Sequence, residues 1–220
     1  MRLHSNGYWA QIITTCTIAM LAFSFFNSAH ARKSERPHWS LEVKGGRFTP
    51  DIDNYETFYG NDDTSEFSIG FGYKFLRQLE VGAQASYIQD DGVGLLPLNQ
   101  NLGGQVAYTL VPVDVFVLFR AVFAKNQWVV PYIGGGWTRA YYRQKIQNQD
   151  DVEGKADGYH ARAGIQISLN NMAPGQAAVA QKGIGPDYSY LIFEAKTFSA
   201  KKDGIELGGT SYLFGFLFEF

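Results

Sequence analysis

SYLFGFLFEF, residues 211–220, carries an aromatic side chain at every second position. The aromatic set is Tyr212, Phe214, Phe216, Phe218 and Phe220. A period of two is typical of a β-strand, whose successive side chains point to opposite faces. An aromatic row exposed to water would promote aggregation, whereas the same row is stable against lipid. The stretch therefore predicts a strand that turns its aromatic face to a membrane.

The amino-terminal segment has the features of a secretory signal peptide. A basic residue precedes an apolar stretch at 12–26, and Ala29 and Ala31 form an A-x-A cleavage site. The apolar stretch is too short for a convincing transmembrane helix. We therefore predict a signal peptide at 1–31 and a mature domain at 32–220.

Composition narrows the class of protein. The chain has 19 basic and 21 acidic residues, a balance that argues against nucleic acid as a partner. Its one cysteine, Cys16, lies inside the predicted signal and matches a lipoprotein acylation site poorly, so no disulfide is expected in the mature domain. Aromatics make up 15% of the chain, and there are 24 glycines. A transmembrane barrel accounts for this composition, because its strands alternate apolar and polar residues.

Alternating segments recur along the whole chain. The clearest is 66–75, in which Phe67, Ile69 and Phe71 alternate with polar or small residues. The eight segments are 39–47, 66–75, 79–88, 106–120, 128–143, 159–169, 188–198 and 211–220. Roughly ten residues is the spanning length of a tilted strand, and an even number brings both ends to one side. The sequence predicts an all-β fold, an eight-stranded antiparallel up-and-down transmembrane β-barrel.

The connections between segments alternate in length. Long polar connections are predicted as outer loops at 49–65, 89–104, 144–157 and 199–209. Short turns are expected at 76–78 and 121–127, whereas 170–187 is longer than the pattern requires. Apolar residues in the first two outer loops favour a contact surface or a hydrophobic entry site: Tyr55, Phe58, Tyr59, Leu95, Leu96 and Leu98. In the fifth segment, Pro131 and Gly134–Gly136 obscure which face meets lipid.

The faces opposite the apolar ones carry charge and are predicted to line the lumen. The predicted polar network is Glu42, Lys44, Glu66, Lys74, Glu80, Arg162, Glu194 and Lys196. Asp114, Arg120, His160 and Glu219 share these faces. An eight-stranded barrel is only just wide enough for its side chains, so buried charges must pair. We favour a packed lumen over a narrow pore or pocket, although the residue types alone allow both.

These features together resemble the small outer-membrane β-barrel proteins of Gram-negative bacteria, the OmpA/OmpX/OmpW-like group. The stretch PYIGGGW, residues 131–137, is similar to the P-Y-x-G-x-G stretch of such barrels. The resemblance implies a location in the bacterial outer membrane and contact with lipid and lipopolysaccharide. It also implies assembly by the barrel-assembly machinery, with the alternating aromatics that end at Phe220 as the recognition signal.

Some eight-stranded barrels modify lipid A, and their catalytic residues have no clear counterpart in this chain. A His-x-Ser-Asn stretch is typical of the deacylase, but His4-Ser5-Asn6 lies in the predicted signal, and the late region reads Phe198-Ser199-Ala200. His38 precedes the first segment, and the alternation points His160 inward. We therefore predict no Ser–His pair and no enzyme.

No cofactor or metal is predicted. Paired aspartates at 62–63, 90–91 and 150–151 occur in predicted outer loops, where carboxylates could bind calcium or bridge to lipopolysaccharide. They lack the D-x-D-x-D-G spacing of a calcium loop, so solvated loops are the favoured interpretation.

Three functions remain open at this stage. The first is a structural or surface-interaction barrel with long outer loops, and the second is a narrow channel or transporter for small or hydrophobic solutes, as proposed for the OmpW-like group. The third is a lipid A-modifying enzyme, which the missing Ser–His pair disfavours. A soluble lipocalin-like barrel would turn the apolar faces inward, and the glycines and charges opposite those faces disfavour it. The oligomeric state is not predicted.

Overall fold

Eight strands form one closed antiparallel barrel in which each strand pairs with its sequence neighbours and the last pairs with the first. The computed structural model describes residues 37–51, 62–94, 104–124, 127–146, 152–172, 175, 185–202 and 205–220. The strands are β1 (Trp39–Pro50), β2 (Thr64–Lys74), β3 (Leu79–Gly94), β4 (Gly104–Arg120), β5 (Val129–Ile146), β6 (Val152–Ser168), β7 (Tyr188–Lys202) and β8 (Ile205–Glu219). The predicted fold class is confirmed, whereas the predicted signal peptide lies outside the described residues.

The seam between β1 and β8 closes the barrel. Its register pairs Ser40 with Glu219 and runs without interruption to Pro50, which pairs with Gly209. Phe220 extends the seam, because its amide donates to the Trp39 carbonyl at 2.9 Å and its own carbonyl accepts from the Trp39 amide at 3.1 Å. Closure leaves no strand edge exposed, which lipid requires of a spanning sheet.

Short connections join β2 to β3 and β4 to β5 at the end of the barrel where β1 begins and β8 ends. The β2–β3 turn is held by the Phe75 amide, which donates to the Leu79 carbonyl at 3.1 Å. The β4–β5 connection is organised by Gln127, whose amide group donates to the carbonyls of Ala121 and Val129 at 2.7 and 2.8 Å. Short turns are periplasmic in bacterial membrane barrels, so the opposite end is called the outer end below.

The β6–β7 connection contains a short helix, α1 (Leu169–Met172). Asn170 ties this connection to β7, since its side chain donates to the Asp187 carbonyl and accepts from the Ser189 amide at 2.9 and 2.8 Å. The helix replaces strand at Leu169, which the sequence pattern had placed in the sixth strand. Among the described residues, no helix has the length and apolar character to cross a membrane.

The strands extend further toward the outer end than the sequence pattern predicts. β5 has 18 residues and β2 has 11, so the wall is uneven in height. Much of the predicted loops at 89–104, 144–157 and 199–209 is therefore strand. The membrane-type alternation ends there because polar residues take the outward positions and apolar residues take several of the inward ones, while the backbone ladder continues. The apolar loop residues between 55 and 98 that suggested a contact surface lie outside the described residues.

The apolar faces point outward, and the charged faces point inward. Phe67 and Val115 expose 55% and 52% of their surface, whereas Glu42 and Arg162 expose 1% and 2%. The soluble lipocalin-like alternative is therefore wrong, because it requires the reverse arrangement. The structure also settles the fifth strand, in which Ile133 is exposed and Tyr132 is buried.

One local interruption occurs in the wall, between β3 and β4. The register runs from Leu79–Phe119 to Ala85–Val113 and resumes at Ile88–Leu110. The two residue pairs stepped over include Pro112, which has no amide hydrogen to donate. The register is the same before and after this gap, so neither strand carries an extra residue. The hydrogen-bond ladder is therefore interrupted without a bulge.

Candidate functional site: the charged lumen

All eight predicted lumen residues are buried, each at most 5% exposed. Across the barrel they contact three further charged residues, Asp114, Arg120 and Glu219, and Asp114 in turn lies 3.6 Å from His160. The contacts fall into three groups along the lumen, which we call the inner layer, the central layer and the outer layer. The inner layer is nearest the short turns, and the outer layer is nearest the outer end.

The inner layer is built around Glu219, the last residue of β8. Its carboxylate accepts from Arg120 at 2.5 Å and lies 2.8 Å from the Lys74 ammonium. Arg120 also lies 3.5 Å from Glu80, which accepts a hydrogen bond from Ser40 at 2.5 Å. Two cations and two carboxylates therefore balance one another at this level.

The central layer joins β1, β6 and β7 through four charges. Arg162 contacts Glu42 at 2.7 Å and Glu194 at 2.6 Å. Lys44 lies 2.8 Å from each of the same two carboxylates and donates to Gln84 at 2.8 Å. The Arg162 guanidinium also stacks over the Phe116 ring at 4.6 Å. Both carboxylates contact both cations, which is what makes these buried charges tolerable, although the second oxygen of Glu42 is buried without a hydrogen-bond partner among the described residues.

The outer layer contains one lysine, two carboxylates and the lumen histidine. Lys196 lies 2.9 Å from Glu66 and 3.4 Å from Asp114. Thr138 donates to Asp114 at 2.6 Å, and the hydroxyl lies 2.9 Å from His160 Nδ1. The threonine hydroxyl therefore lies between the histidine ring and a carboxylate that also pairs with Lys196.

An apolar group lies in the lumen toward the outer end and was not predicted from the sequence. We call it the apolar cap: Phe48, Ile88, Tyr108, Leu110, Ala140, Ala156, Phe198, Ala200 and Leu207, with Tyr142 packed against them. Phe48 and Phe198 stack with their ring centres 5.7 Å apart. The available signal was that the inward positions of several strands change from charged to apolar near the outer end. The change is hard to see in the sequence because three of the residues, Ala156, Ala200 and Leu207, lie in stretches that the pattern predicts to be loops.

The lumen offers no accessible catalytic constellation among the described residues. His160 is 6% exposed and contacts Thr138 and Asp114 inside the outer layer. His38 lies at the other end, where its Nδ1 is 3.1 Å from the Lys74 carbonyl. The described residues also contain no group of three or more ligands that could hold a metal ion.

The predicted assembly signal lies on the outward face of β8 and its extension. Tyr212, Phe214, Phe216 and Phe220 are 66%, 47%, 43% and 42% exposed. Phe218 is half-buried, and its ring stacks on Phe216 with centres 6.4 Å apart. A lipid-facing row is thus in place, while its role in recognition by the assembly machinery stays a prediction.

With a closed barrel, an apolar exterior and a charged interior, the architecture is that of a membrane-spanning β-barrel. Residues 18–220 match the family model described as outer membrane protein beta-barrel domain, and the chain belongs to this family. It is a protein of the bacterial outer membrane, where it contacts lipid and lipopolysaccharide.

Solved structures agree with this assignment at the level of fold. Neisserial surface protein A, NspA, has a TM-score of 0.55 and 10% identity over 83% of this chain and 97% of its own. The outer membrane protein OprG from Pseudomonas aeruginosa has a TM-score of 0.52 and 14% identity over 84% of this chain and 97% of its own. No curated protein sequence matches the chain.

Proposed function

We propose that this protein is a non-enzymatic outer-membrane barrel that acts through its outer surface, with the lumen serving as rigid support. The observation that carries the proposal is the filling of the lumen by three ionic layers beneath an apolar cap. In this view the barrel holds the outer rim and its connections in place for structural or surface contacts.

Conduction is disfavoured by the way the central layer is bonded. Arg162 and Lys44 each contact both Glu42 and Glu194, so a permeating ion would have to displace buried pairs. Separating such a pair leaves a buried charge without its partner, at a cost of about 3–5 kcal/mol. Conduction requires sites that ions enter and leave easily.

Bilayer conductance tests this proposal directly. We expect no unitary current steps from the wild-type barrel in a planar membrane at either polarity. The matched variant is Lys44→Gln, which changes charge within the central layer with little loss of volume. Reproducible wild-type steps whose size changes in Lys44→Gln would show that ions pass the central layer and would overturn the proposal.

Passage of hydrophobic solutes through the wall is the second candidate, and the interruption at Pro112 favours it. A solute that left the lumen above the outer layer would not need to cross the ionic layers. The test is uptake of a fluorescent hydrophobic dye by cells that carry the wild-type or the Pro112→Val protein. Dye uptake that requires the wild-type protein and is lost in Pro112→Val would support transport through the wall. It would argue against a barrel that serves only as a support.

A further inference from the structure

A cluster of basic side chains occupies the outward face of β5, β6 and β7 near the outer end. We call it the rim cluster: Arg139, Arg143, Lys145, Lys155 and Lys201. The register places Arg139 beside Asp157 and Asp157 beside Lys201. Tyr141 pairs with Lys155, and Arg143 pairs with Glu153, in the rows above. Lys201 also pairs in register with Glu206 of β8, so five cations share this face with three acidic positions, Asp157, Glu153 and Glu206.

The opposite side of the barrel has a different charge. Among the described outward side chains near the outer ends of β1 to β4, the one basic residue is Arg47, which pairs with Asp63 at 2.8 Å. Its neighbours along the rim are Ser65, Gln89 and Thr109. Positive charge is thus concentrated on one side of the rim, beyond what solubility of an exposed rim requires.

Aromatic side chains fix the height of the rim cluster relative to the membrane. Trp137 and Tyr159 pair with each other one row nearer the membrane than Arg139. The Arg139 guanidinium lies 4.8 Å from the centre of the Trp137 ring, and Tyr159 is 76% exposed. Aromatic girdles mark the boundary between headgroups and hydrocarbon in membrane barrels. The cations therefore lie at the level of the lipid headgroups.

The wall below these aromatics is lined with small residues. The outward positions there include Gly135, Ala161, Ala163, Ala195 and Thr197, with Ile133 beside Ala163 on β5 and Tyr212 beside Ala195 on β8. The small side chains next to Tyr159 and Tyr212 leave room for an acyl chain against the wall. These small residues do not identify a ligand by themselves; the charge above them does.

We propose that the rim cluster binds the phosphorylated headgroup of lipopolysaccharide, with an acyl chain against the small residues below. The occupant must carry anionic groups at headgroup level and acyl chains beneath them, and lipopolysaccharide in the outer leaflet has both. Lys155, Lys201 and Arg143 supply cations across three adjacent strands. This deepens the proposed surface function by naming a ligand and its side of the barrel.

The test compares purified barrels in detergent as lipopolysaccharide is added. Ligand binding raises the temperature at which the fast-migrating folded form is lost on gels, and its concentration dependence gives an apparent affinity. The test variant is Arg143→Gln/Lys155→Gln/Lys201→Gln, and the control is Arg47→Gln on the other side of the rim. We expect the triple variant to bind at least roughly tenfold more weakly, because it loses three cations that attract the anionic headgroup.

Two ligand controls identify the chemistry. Lipopolysaccharide stripped of its phosphates should bind no better than phosphatidylcholine, and added salt should weaken binding of the intact form. Equal binding of the stripped form, or a triple variant that binds like wild type, would overturn the proposal. If the triple variant does not fold, the single variants Lys155→Gln and Lys201→Gln, both exposed, decide between the same outcomes. Conductance is measured separately, so the proposal of a lipopolysaccharide site and the proposal of a non-conducting lumen can be refuted independently.

Discussion

Arg162 makes several contacts at once in the lumen. Its guanidinium contacts two carboxylates and an aromatic ring while only 2% of the residue is exposed. We expect Arg162→Met to destabilise the barrel by about 3–5 kcal/mol, because Glu42 and Glu194 would remain buried with Lys44 as their shared cation. Urea unfolding in lipid vesicles, followed by the gel shift of the folded form, measures the change.

Arg47→Met is the matched control for Arg162→Met. Arg47 makes one ion pair at 2.8 Å, but 78% of its side chain is exposed to solvent. Solvent screens such a pair, so Arg47→Met should lower the free energy of unfolding much less than Arg162→Met does. Equal decreases for the two variants would mean that the buried ion pairs of the lumen stabilise the barrel no more than an exposed pair.

Two glycines on the wall should respond to alanine with opposite signs. A Cβ at Gly136 would overlap the carbonyl oxygen of Val115, whereas the nearest atom to a Cβ at Gly45 is 3.8 Å away. We expect Gly136→Ala to destabilise the barrel by roughly 1–3 kcal/mol through overpacking. Gly45→Ala should stabilise it by about 0.5–1 kcal/mol, because alanine loses less conformational entropy in a strand. The same urea titration tests both, and a tolerated Gly136→Ala would contradict the close approach of β4 and β5.

Individual lumen charges were predictable because alternation alone decides which side of a strand a residue faces. Glu42, Lys44 and Arg162 could therefore be placed inside without a structure. Their partners could not, because register and barrel tilt determine which charges meet. The orientation of Gly134–Gly136 also escaped prediction, since glycine gives no polarity signal of its own.

At the scale of the element, β8 combines a lipid-facing row with the closing seam. We expect Phe220→Ala to lower the assembled fraction in cells, because it removes the terminal aromatic yet keeps the backbone bonds to Trp39. The measurement is the ratio of folded to unfolded form in the envelope, read from boiled and unboiled samples.

Phe67→Ala on β2 is the control for the terminal aromatic. Phe67 is 55% exposed and Phe220 is 42% exposed, so both changes remove similar lipid contact. The two variants should refold alike in detergent, whereas only Phe220→Ala should assemble poorly in cells. An equal defect for both in cells would argue against a recognition role for the terminal residue.

Strand identity was more predictable than strand length. All eight segments were found because half-buried strands in lipid require strict alternation of polarity. The ladder beyond the membrane has no such requirement, and pairs such as Arg139 with Asp157 are polar on the outward face. The rim cluster was not predicted because Lys145, Lys155 and Lys201 lie in predicted loops, and because the outward face of the fifth segment, which holds Arg139 and Arg143, was undecided.

At the scale of the whole molecule, the lumen carries three ionic layers and the apolar cap along its length. We expect Phe48→Ala/Phe198→Ala to lower stability, since Phe→Ala in a core costs about 3–5 kcal/mol. The variant should still conduct no ions, because three ionic layers remain beneath the opened apolar cap. Bilayer recordings test this, with the outward pair Phe67→Ala/Phe214→Ala as control. Current steps in the cap variant alone would mean that the apolar cap is the gate of a channel.

The ionic layers join parts of the chain that are far apart in sequence. Lys44 and Glu194 are 150 residues apart, Lys196 and Glu66 are 130 apart, and Arg162 and Glu42 are 120 apart. While β6 and β7 are missing, Lys44 lacks Glu194, Glu42 lacks Arg162 and Glu66 lacks Lys196, so water must replace these partners. We therefore expect the order of folding to be constrained: the chain stays outside the hydrocarbon until β8 arrives, and it enters lipid as a finished barrel.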